Sequence, residues 1–231
     1  SILRGIVLIP IITKTAGESV YGTWVVLLAI VSIVSAVGSL HLHGTLIRYR
    51  PRETQEGQTL VDILALWLLI AGVVAFVTFI LISRFGLLPQ VENPVAVLYA
   101  VVAVIVSRIV FLILKNYPRA CNKVKTYESI ELAQLLLEGV FIAFAFWLYG
   151  SVLLGLWSLA GVSMLLSVPL MVAYLPRELR LPDVTAFGKY LRYGVPMVPK
   201  EMGRTLLTNA DKYILNVLIS PTAVAVYAVS Y

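Results

Sequence analysis

Long apolar segments, separated by short polar clusters, make up most of this chain. A run of about 20 apolar residues is long enough to cross the hydrocarbon core of a bilayer as a helix. The runs here predict full or partial spans at 2–13, 20–46, 58–82, 94–115, 127–149, 152–175, 193–219 and 222–231. Glycine, proline and charged residues fill the short intervening segments, so successive helices are expected to be antiparallel. The pattern predicts an all-α, polytopic transmembrane helical bundle.

The first and last apolar runs are shorter than a membrane span. An isolated half-helix would leave backbone groups unsatisfied in lipid. We therefore expect this sequence to be an internal fragment of a longer protein, with its first span truncated and a C-terminal half to follow.

Composition agrees with a membrane protein, since 60% of the residues are hydrophobic and the mean hydropathy is +0.93. The net charge of +6 is distributed unevenly along the chain. One set of connections carries only Lys14 and Arg84, whereas the alternate set is rich in basic residues. That second set contains Arg48, Arg50, Arg52, Lys115, Arg119, Lys123, Lys125, Arg177, Arg180, Lys189 and Arg192.

The positive-inside rule places the basic set in the cytoplasm. Loops 2–3, 4–5 and 6–7 are then cytoplasmic, and the remaining loops lie outside. Because topology accounts for the basic charge, no nucleic-acid partner is needed to explain it, and membrane lipids are the expected contact.

The run from 193 to 219 carries charged residues in an apolar setting. Lys200, Arg204, Thr208 and Asp211 follow at intervals of four, four and three residues, which puts them along one side of a helix. A charge at bilayer depth costs about 2.5–3.5 kcal/mol on insertion scales, so such residues face a cavity or a partner. This polar seam favours transport over enzymatic chemistry.

Two further charges lie inside predicted spans. Glu138 is deep in the fifth span, and it is expected to be either a functional carboxylate facing a cavity or a structural partner for a cation. Arg108, in the fourth span, is the expected partner or else a group that binds an anion. Arg4 would lie near mid-membrane if the first span were complete.

Metal and cofactor sites are not expected. His41 and His43 are two residues apart, which would place them on different faces of a helix. Cys121 has no second cysteine with which to form a disulfide. No grouping of Cys, His and carboxylate has the spacing of a metal site.

Prolines and aromatic residues mark the ends of spans. Pro196 and Pro199 open the seventh span, where they either kink a helix beside a substrate path or occupy a first turn that tolerates them. The aromatic residues near span ends predict an interfacial belt. They are Tyr21, Trp24, Trp67, Tyr99, Tyr127, Trp147 and Tyr149.

A set of motifs lies along the chain at Leu8–Thr13, Gly17–Gly22, Gly38 with Leu46–Pro51, Tyr193–Pro199 and Asn209–Ile214. Together these segments resemble the polysaccharide (O-antigen type) flippases of the multidrug/oligosaccharidyl-lipid/polysaccharide exporter superfamily. The resemblance covers the whole chain, although its motifs are loose and mostly apolar. The first loop lacks the proline commonly found after the glycine at the position of Gly17.

The resemblance implies two six-helix lobes around a central cavity and alternating access. Residues 1–180 would be the N-terminal transmembrane lobe, with spans one to six, and residues 181–231 would be a cytoplasmic linker and the start of the second lobe. The implied substrate is an undecaprenyl-pyrophosphate-linked oligosaccharide, flipped across the inner (cytoplasmic) membrane during polysaccharide biosynthesis. A polysaccharide polymerase and glycosyltransferases are the implied protein partners.

Pyrophosphate is anionic, and arginine is suited to bidentate recognition of phosphate. The cations expected to bind substrate are Arg4, Arg48, Arg108, Lys200 and Arg204. Glu138 and Asp211 would pair with these cations or couple transport to an ion gradient.

Two alternatives remain open. A drug/cation antiporter of the same superfamily would have a cavity dominated by carboxylates, whereas the seventh span has three cations and two acids. A membrane enzyme, such as a polysaccharide polymerase, would need a catalytic cluster, and none is visible. Arg204 could also be structural, paired with Glu201 or Glu138 so that its burial is tolerated.

Overall fold

The computed structural model describes residues 10, 12–53, 56–85, 91, 93–176, 181–219, 222 and 224. The expected all-α bundle is confirmed, since 90% of the structure is helical. The α-helices are α1 (Glu18–Gly38), α2 (Leu42–Tyr49), α3 (Gln58–Phe85), α4 (Pro94–Ala120), α5 (Val124–Tyr149), α6 (Val152–Tyr174), α7 (Phe187–Gly194) and α8 (Val198–Leu218). Short 3-10 turns lie at Arg50–Arg52, Val184–Ala186 and Val195–Met197.

Five of these helices, α1, α3, α4, α5 and α6, are long and apolar enough to cross a membrane. Helix α4 lies at the centre, packed against α1, α2, α3, α5 and α6. In the most apolar stretch of α4, 67% of the residues are buried, whereas 22% are buried in the most apolar stretch of α5. The exposed apolar side chains of α3, α5 and α6 therefore form the surface available to lipid.

The predicted aromatic belt is only partly present. Trp147 and Tyr149 are both 68% exposed at the end of α5. Trp24 and Trp67 are instead buried, and Trp24 makes an edge-to-face contact with Phe146, with ring centroids 5.3 Å apart. Sequence position alone could not separate an interfacial tryptophan from one that packs between helices.

The second predicted span, 20–46, is wrong as a single helix. It breaks after Gly38, and Leu40 and His41 adopt left-handed conformations with φ of 45° and 53°. Gly194 approaches this turn so closely that a Cβ on it would collide with the carbonyl oxygen of Leu40. The turn is therefore fixed by a contact with residues more than 150 positions away, which apolar periodicity cannot reveal.

The fourth span also ends later than predicted. Helix α4 continues through Lys115 and Pro118 to Ala120, so most of the expected loop 116–126 is helical. The side-chain amide of Asn116 donates to the carbonyl of Leu112 at 2.8 Å. Pro118 lies inside the last turn of the helix, where its missing N–H removes the bond to the carbonyl four residues earlier.

The seventh predicted span, 193–219, comprises the end of α7, a 3-10 turn and α8. Pro196 lies in the turn and Pro199 in the first turn of α8, positions that tolerate proline. Helix α8 has 21 residues, but it is not among the five apolar spans. Its five charged residues account for this, and they are Lys200, Glu201, Arg204, Asp211 and Lys212.

Helix α8 packs against α1, and α7 packs against α2 and α3. Asp62, buried in the first turns of α3, holds α7 in place by accepting hydrogen bonds from the Tyr190 hydroxyl at 3.1 Å and the Asp183 amide at 2.9 Å. Burial and the charge of Asp62 raise the pKa of Tyr190 above its ordinary value. The predicted spans 2–13 and 222–231 lie largely outside the described residues.

Candidate functional site

Helix α8 presents the predicted polar seam on its outer side. Lys200, Arg204 and Thr208 are exposed, and Asp211 is half-buried. The Thr208 hydroxyl donates to the carbonyl of Arg204 at 2.9 Å, which keeps it on the helix backbone. Among the described residues, neither Lys200 nor Arg204 has an ion-pair partner. The two cations are therefore accessible to an anion.

A second group of polar residues lies between α4 and α5, among apolar side chains. Arg108 Nη2 lies 3.3 Å from Glu138 Oε2, and only 2% of the Glu138 side chain is exposed. Gln134 Nε2 donates to Glu138 Oε1 at 2.7 Å. The structure thus brings together the two residues that the sequence names as partners, and a charge-assisted pair makes the burial of Glu138 tolerable.

The same interface contains a second cation, Lys115, which the sequence pattern placed in a loop. Lys115, only 12% exposed, donates to Gln134 Oε1 at 3.3 Å and lies 3.8 Å from Glu131 Oε1. We call Arg108, Lys115, Glu131, Gln134 and Glu138 the charge ladder. Its cations are seven residues apart on α4 and its acids seven apart on α5, a matching spacing that could have revealed Lys115.

The two cations and two acids of the charge ladder neutralise one another. Glu138, which could also have paired with Arg204, is bound to Arg108 and Gln134. The charge ladder therefore joins two helices and offers little net charge to a ligand.

A third group forms where α1 ends, and the sequence analysis missed it. The rings of His41 and His43 lie 4.7 Å apart, and His41 Nδ1 lies 3.5 Å from Glu201 Oε1 on α8. We call His41, His43 and Glu201 the histidine cluster. The expectation that the two rings lie on different faces is wrong, because His41 is in the left-handed turn and not within a helix.

Both imidazoles are poor bases in this environment. Burial lowers the pKa of His41. Burial also lowers the pKa of His43 to about 4, and the charge of His41 adds to this effect. The cations Lys115 and Arg119 also contribute at His43, which shows that the histidine cluster adjoins the charge ladder. One ligand atom from each member lies within 4.8 Å of the others, as a metal site would require.

Arg48 lies beside this cluster but is held by aromatic rings. Its guanidinium carbon is 4.4 Å from the ring centroid of Tyr193. The ring centroids of Tyr193 and His41 are 6.4 Å apart. The Arg48 side chain is otherwise exposed. A cation stacked on a ring keeps its outer donors free for a ligand.

A separate open pocket of about 560 Å³ lies near the ends of α2, α4 and α6. Arg50 and Lys123 line it, together with Tyr117 and Tyr174. Arg50 is offset by Glu53 and Glu56, at 3.4 and 3.6 Å, so this pocket carries less positive charge than its basic residues suggest.

The predicted site residues are thus divided among different environments. Lys200 and Arg204 share the exposed side of α8, Arg48 lies on Tyr193, and Arg108 is joined to Glu138. Asp211 is half-buried on α8, and Arg4 lies outside the described residues.

Comparison with known families supplies the missing context for these helices. The family model for polysaccharide biosynthesis proteins matches residues 2–231, almost the whole chain. The chain belongs to this family. The family is of the flippase type within the multidrug/oligosaccharidyl-lipid/polysaccharide exporter superfamily, so the resemblance drawn from the sequence is confirmed.

With five apolar helices of membrane-spanning length, this member of the polysaccharide biosynthesis family is a multi-pass membrane protein. Comparison with curated proteins and with solved structures gives no match.

Proposed function

We propose that this protein is a flippase that moves an undecaprenyl-pyrophosphate-linked oligosaccharide from the cytoplasmic to the outer leaflet of the cytoplasmic membrane. The observation that carries the proposal is the outer side of α8, which presents Lys200 and Arg204 without an ion-pair partner among the described residues. A helix of membrane-spanning length that keeps cations accessible suits an anionic headgroup which must pass the bilayer. The family match supports a role in polysaccharide biosynthesis.

Arg204 is the residue we assign to the pyrophosphate. Its guanidinium can donate two parallel hydrogen bonds to phosphate oxygens, and Lys200, one turn earlier, adds a second positive charge. The alternative that Arg204 is structural loses support, because both proposed partners are engaged elsewhere. Glu201 faces His41, and Glu138 is bound to Arg108.

Arg48 and Arg108 have different parts in this proposal. Arg48, stacked on Tyr193 near α8, is placed to extend the anion site. Arg108 is occupied by Glu138, so its contribution to substrate binding would require that pair to open during transport.

The antiporter alternative is less well supported by the geometry. A carboxylate that exchanges a proton or cation must be free to change its partner, whereas Glu138 is bound by both Arg108 and Gln134. For the enzyme alternative, the described residues offer no established catalytic arrangement that would favour a polymerase. We retain the polymerase and glycosyltransferases as proposed partners, and the basic loops 2–3, 4–5 and 6–7 as the proposed cytoplasmic side.

The test is export of the lipid-linked glycan in cells whose own copy of the gene has been deleted. We expect Arg204→Ala to abolish export at normal membrane abundance, and Arg204→Lys to restore only part, because a point charge replaces a bidentate fork. Arg84→Ala is the matched control, since Arg84 is an exposed arginine in the last turn of α3, and it should export normally. Full export by Arg204→Ala would overturn the assignment.

A further inference from the structure

The histidine cluster has two features that its role in packing does not explain. The Nδ1 atoms of His41 and His43 are both buried, and neither makes a hydrogen bond to any of the described residues. A buried polar atom without a partner costs about 1–3 kcal/mol, so each needs an explanation. His41 Nδ1 lies 3.5 Å from Glu201 Oε1, but without the geometry of a hydrogen bond.

The three side chains come from two different parts of the chain. His41 and His43 belong to the turn after α1 and the start of α2, and Glu201 belongs to the first turn of α8. The close approach of Gly194 to Leu40 brings these parts together. The geometry is therefore produced by tertiary packing and is independent of the apolar pattern of the spans.

The distances suit a small metal ion. All three ligand atoms lie within 4.8 Å of one another, and His41 Nδ1 is 3.5 Å from Glu201 Oε1. Two donors bound tetrahedrally to Zn²⁺ at about 2.0–2.1 Å lie roughly 3.3 Å apart, so this pair is already close to the required separation. The remaining separations, of at most 4.8 Å, would shorten when the ion binds.

We propose that His41, His43 and Glu201 bind a divalent transition-metal ion, with Zn²⁺ as the best-fitting ion. Two imidazole nitrogens favour Zn²⁺ over Mg²⁺ and Ca²⁺, which prefer oxygen ligands, and Zn²⁺ also accepts a carboxylate oxygen. Three protein ligands leave a fourth position for water. The bound ion would tie the start of α8 to the turn after α1, and this inference does not depend on the proposed transport activity.

Gly44 supplies a test that leaves every ligand in place. The His41 imidazole lies directly over Gly44, and a Cβ at this position would collide with the ring. Gly44→Ala should therefore displace the His41 ring and weaken metal binding. Gly203→Ala is the matched control, because a Cβ there meets nothing within 4 Å although Gly203 is only two residues from Glu201.

The experiment is equilibrium titration of the purified full chain with Zn²⁺ against a chelator, in a Cys121→Ser background that removes the free thiol. We expect one ion per chain. His41→Ala, His43→Ala and Glu201→Gln should each weaken binding by about 100-fold or more, since even residues that only support a ligand contribute 10–100-fold. Gly203→Ala should bind Zn²⁺ as the parent does.

Co²⁺ gives a second readout, because a tetrahedral site with nitrogen and oxygen ligands produces visible absorption bands that hydrated Co²⁺ lacks. The bands should appear in the parent and vanish in His43→Gln. This variant keeps a polar side chain of similar length, and it replaces His43→Ala in the test if that variant fails to fold. Equal Zn²⁺ affinity in the parent and the His41→Ala/His43→Ala double variant would overturn the proposal. Tight Zn²⁺ binding by both Gly44→Ala and His43→Gln would also overturn it, because binding would then require neither the position of the His41 ring nor the His43 ligand.

Discussion

The charge ladder and the outer side of α8 contain the same kinds of side chain in opposite situations. In the charge ladder, Arg108 and Lys115 meet acids across a helix interface, and Glu138 is 2% exposed. On α8, Lys200 and Arg204 are exposed and have no ion-pair partner among the described residues. Charges in a membrane protein can therefore serve to join helices or to receive a ligand, and the presence of a partner distinguishes these two roles.

The comparison predicts that removing different charges changes the free energy of unfolding by different amounts. Removing Glu138 should give the largest change. Glu138→Ala leaves the Arg108 guanidinium without its partner in a largely apolar interface, and we expect a loss of about 3 kcal/mol in the free energy of unfolding. Thermal or denaturant unfolding in detergent measures it. Arg108→Met/Glu138→Leu should recover most of the loss, because the desolvation problem disappears with the pair. A double variant as unstable as the single one would contradict this view.

The close contact between the end of α7 and the turn after α1 should give the next largest effect on stability. Gly194→Ala places a methyl group against the carbonyl of Leu40, so the backbone must shift, at a cost of about 1–3 kcal/mol. Gly188→Ala, in the same helix, faces open space and serves as the control. Equal melting temperatures for the two variants would show that the close approach is not required.

Removing Glu131, at the exposed end of the charge ladder, should destabilise the protein less than removing Glu138 at its buried end. Glu131 is 53% exposed and lies 3.8 Å from Lys115, so Glu131→Ala should change the free energy of unfolding by less than about 1 kcal/mol. The same unfolding assay applies, compared directly with Glu138→Ala. Equal losses of stability in Glu131→Ala and Glu138→Ala would show that burial does not determine how much each acid contributes to stability.

Arg204 should have the smallest effect on stability despite its proposed importance for transport. An exposed side chain without a partner changes stability by about 0.5 kcal/mol or less when it is replaced. A double-mutant cycle between Arg204→Ala and Glu138→Ala should give a coupling energy near zero, whereas the Arg108 and Glu138 cycle should not. Strong coupling between Arg204 and Glu138 would return Arg204 to a structural role.

Much of the fold could be predicted from the sequence because lipid leaves few alternatives. Apolar runs of sufficient length must be helical in a bilayer, since every backbone group needs an internal partner. This constraint located α3, α5 and α6 to within a few residues. It failed at Gly38–His41, where the helix boundary depends on a contact with a distant segment, and at Lys115–Ala120, where the helix continues through an interior proline.

The candidate site was predictable only in part. The spacing of Lys200, Arg204 and Thr208 on one side of a helix follows from the helical period, and the structure exposes all three. Lys115 was missed because its helix was predicted to end too early. His41 and His43 were dismissed because a helical arrangement was assumed for residues that form a left-handed turn.

The sequence by itself determined the helical class and the positions of the charges, because these follow from composition and from local periodicity. Its resemblance to known flippases indicated the family, which the family model confirms. Only the tertiary structure decided which charges have partners. Arg108 meets Glu138 because α4 and α5 pack in one register, and Glu201 meets His41 because Gly194 lets the chain approach Leu40. Pairing depends on distances between segments far apart in the chain, and a one-dimensional pattern does not contain those distances.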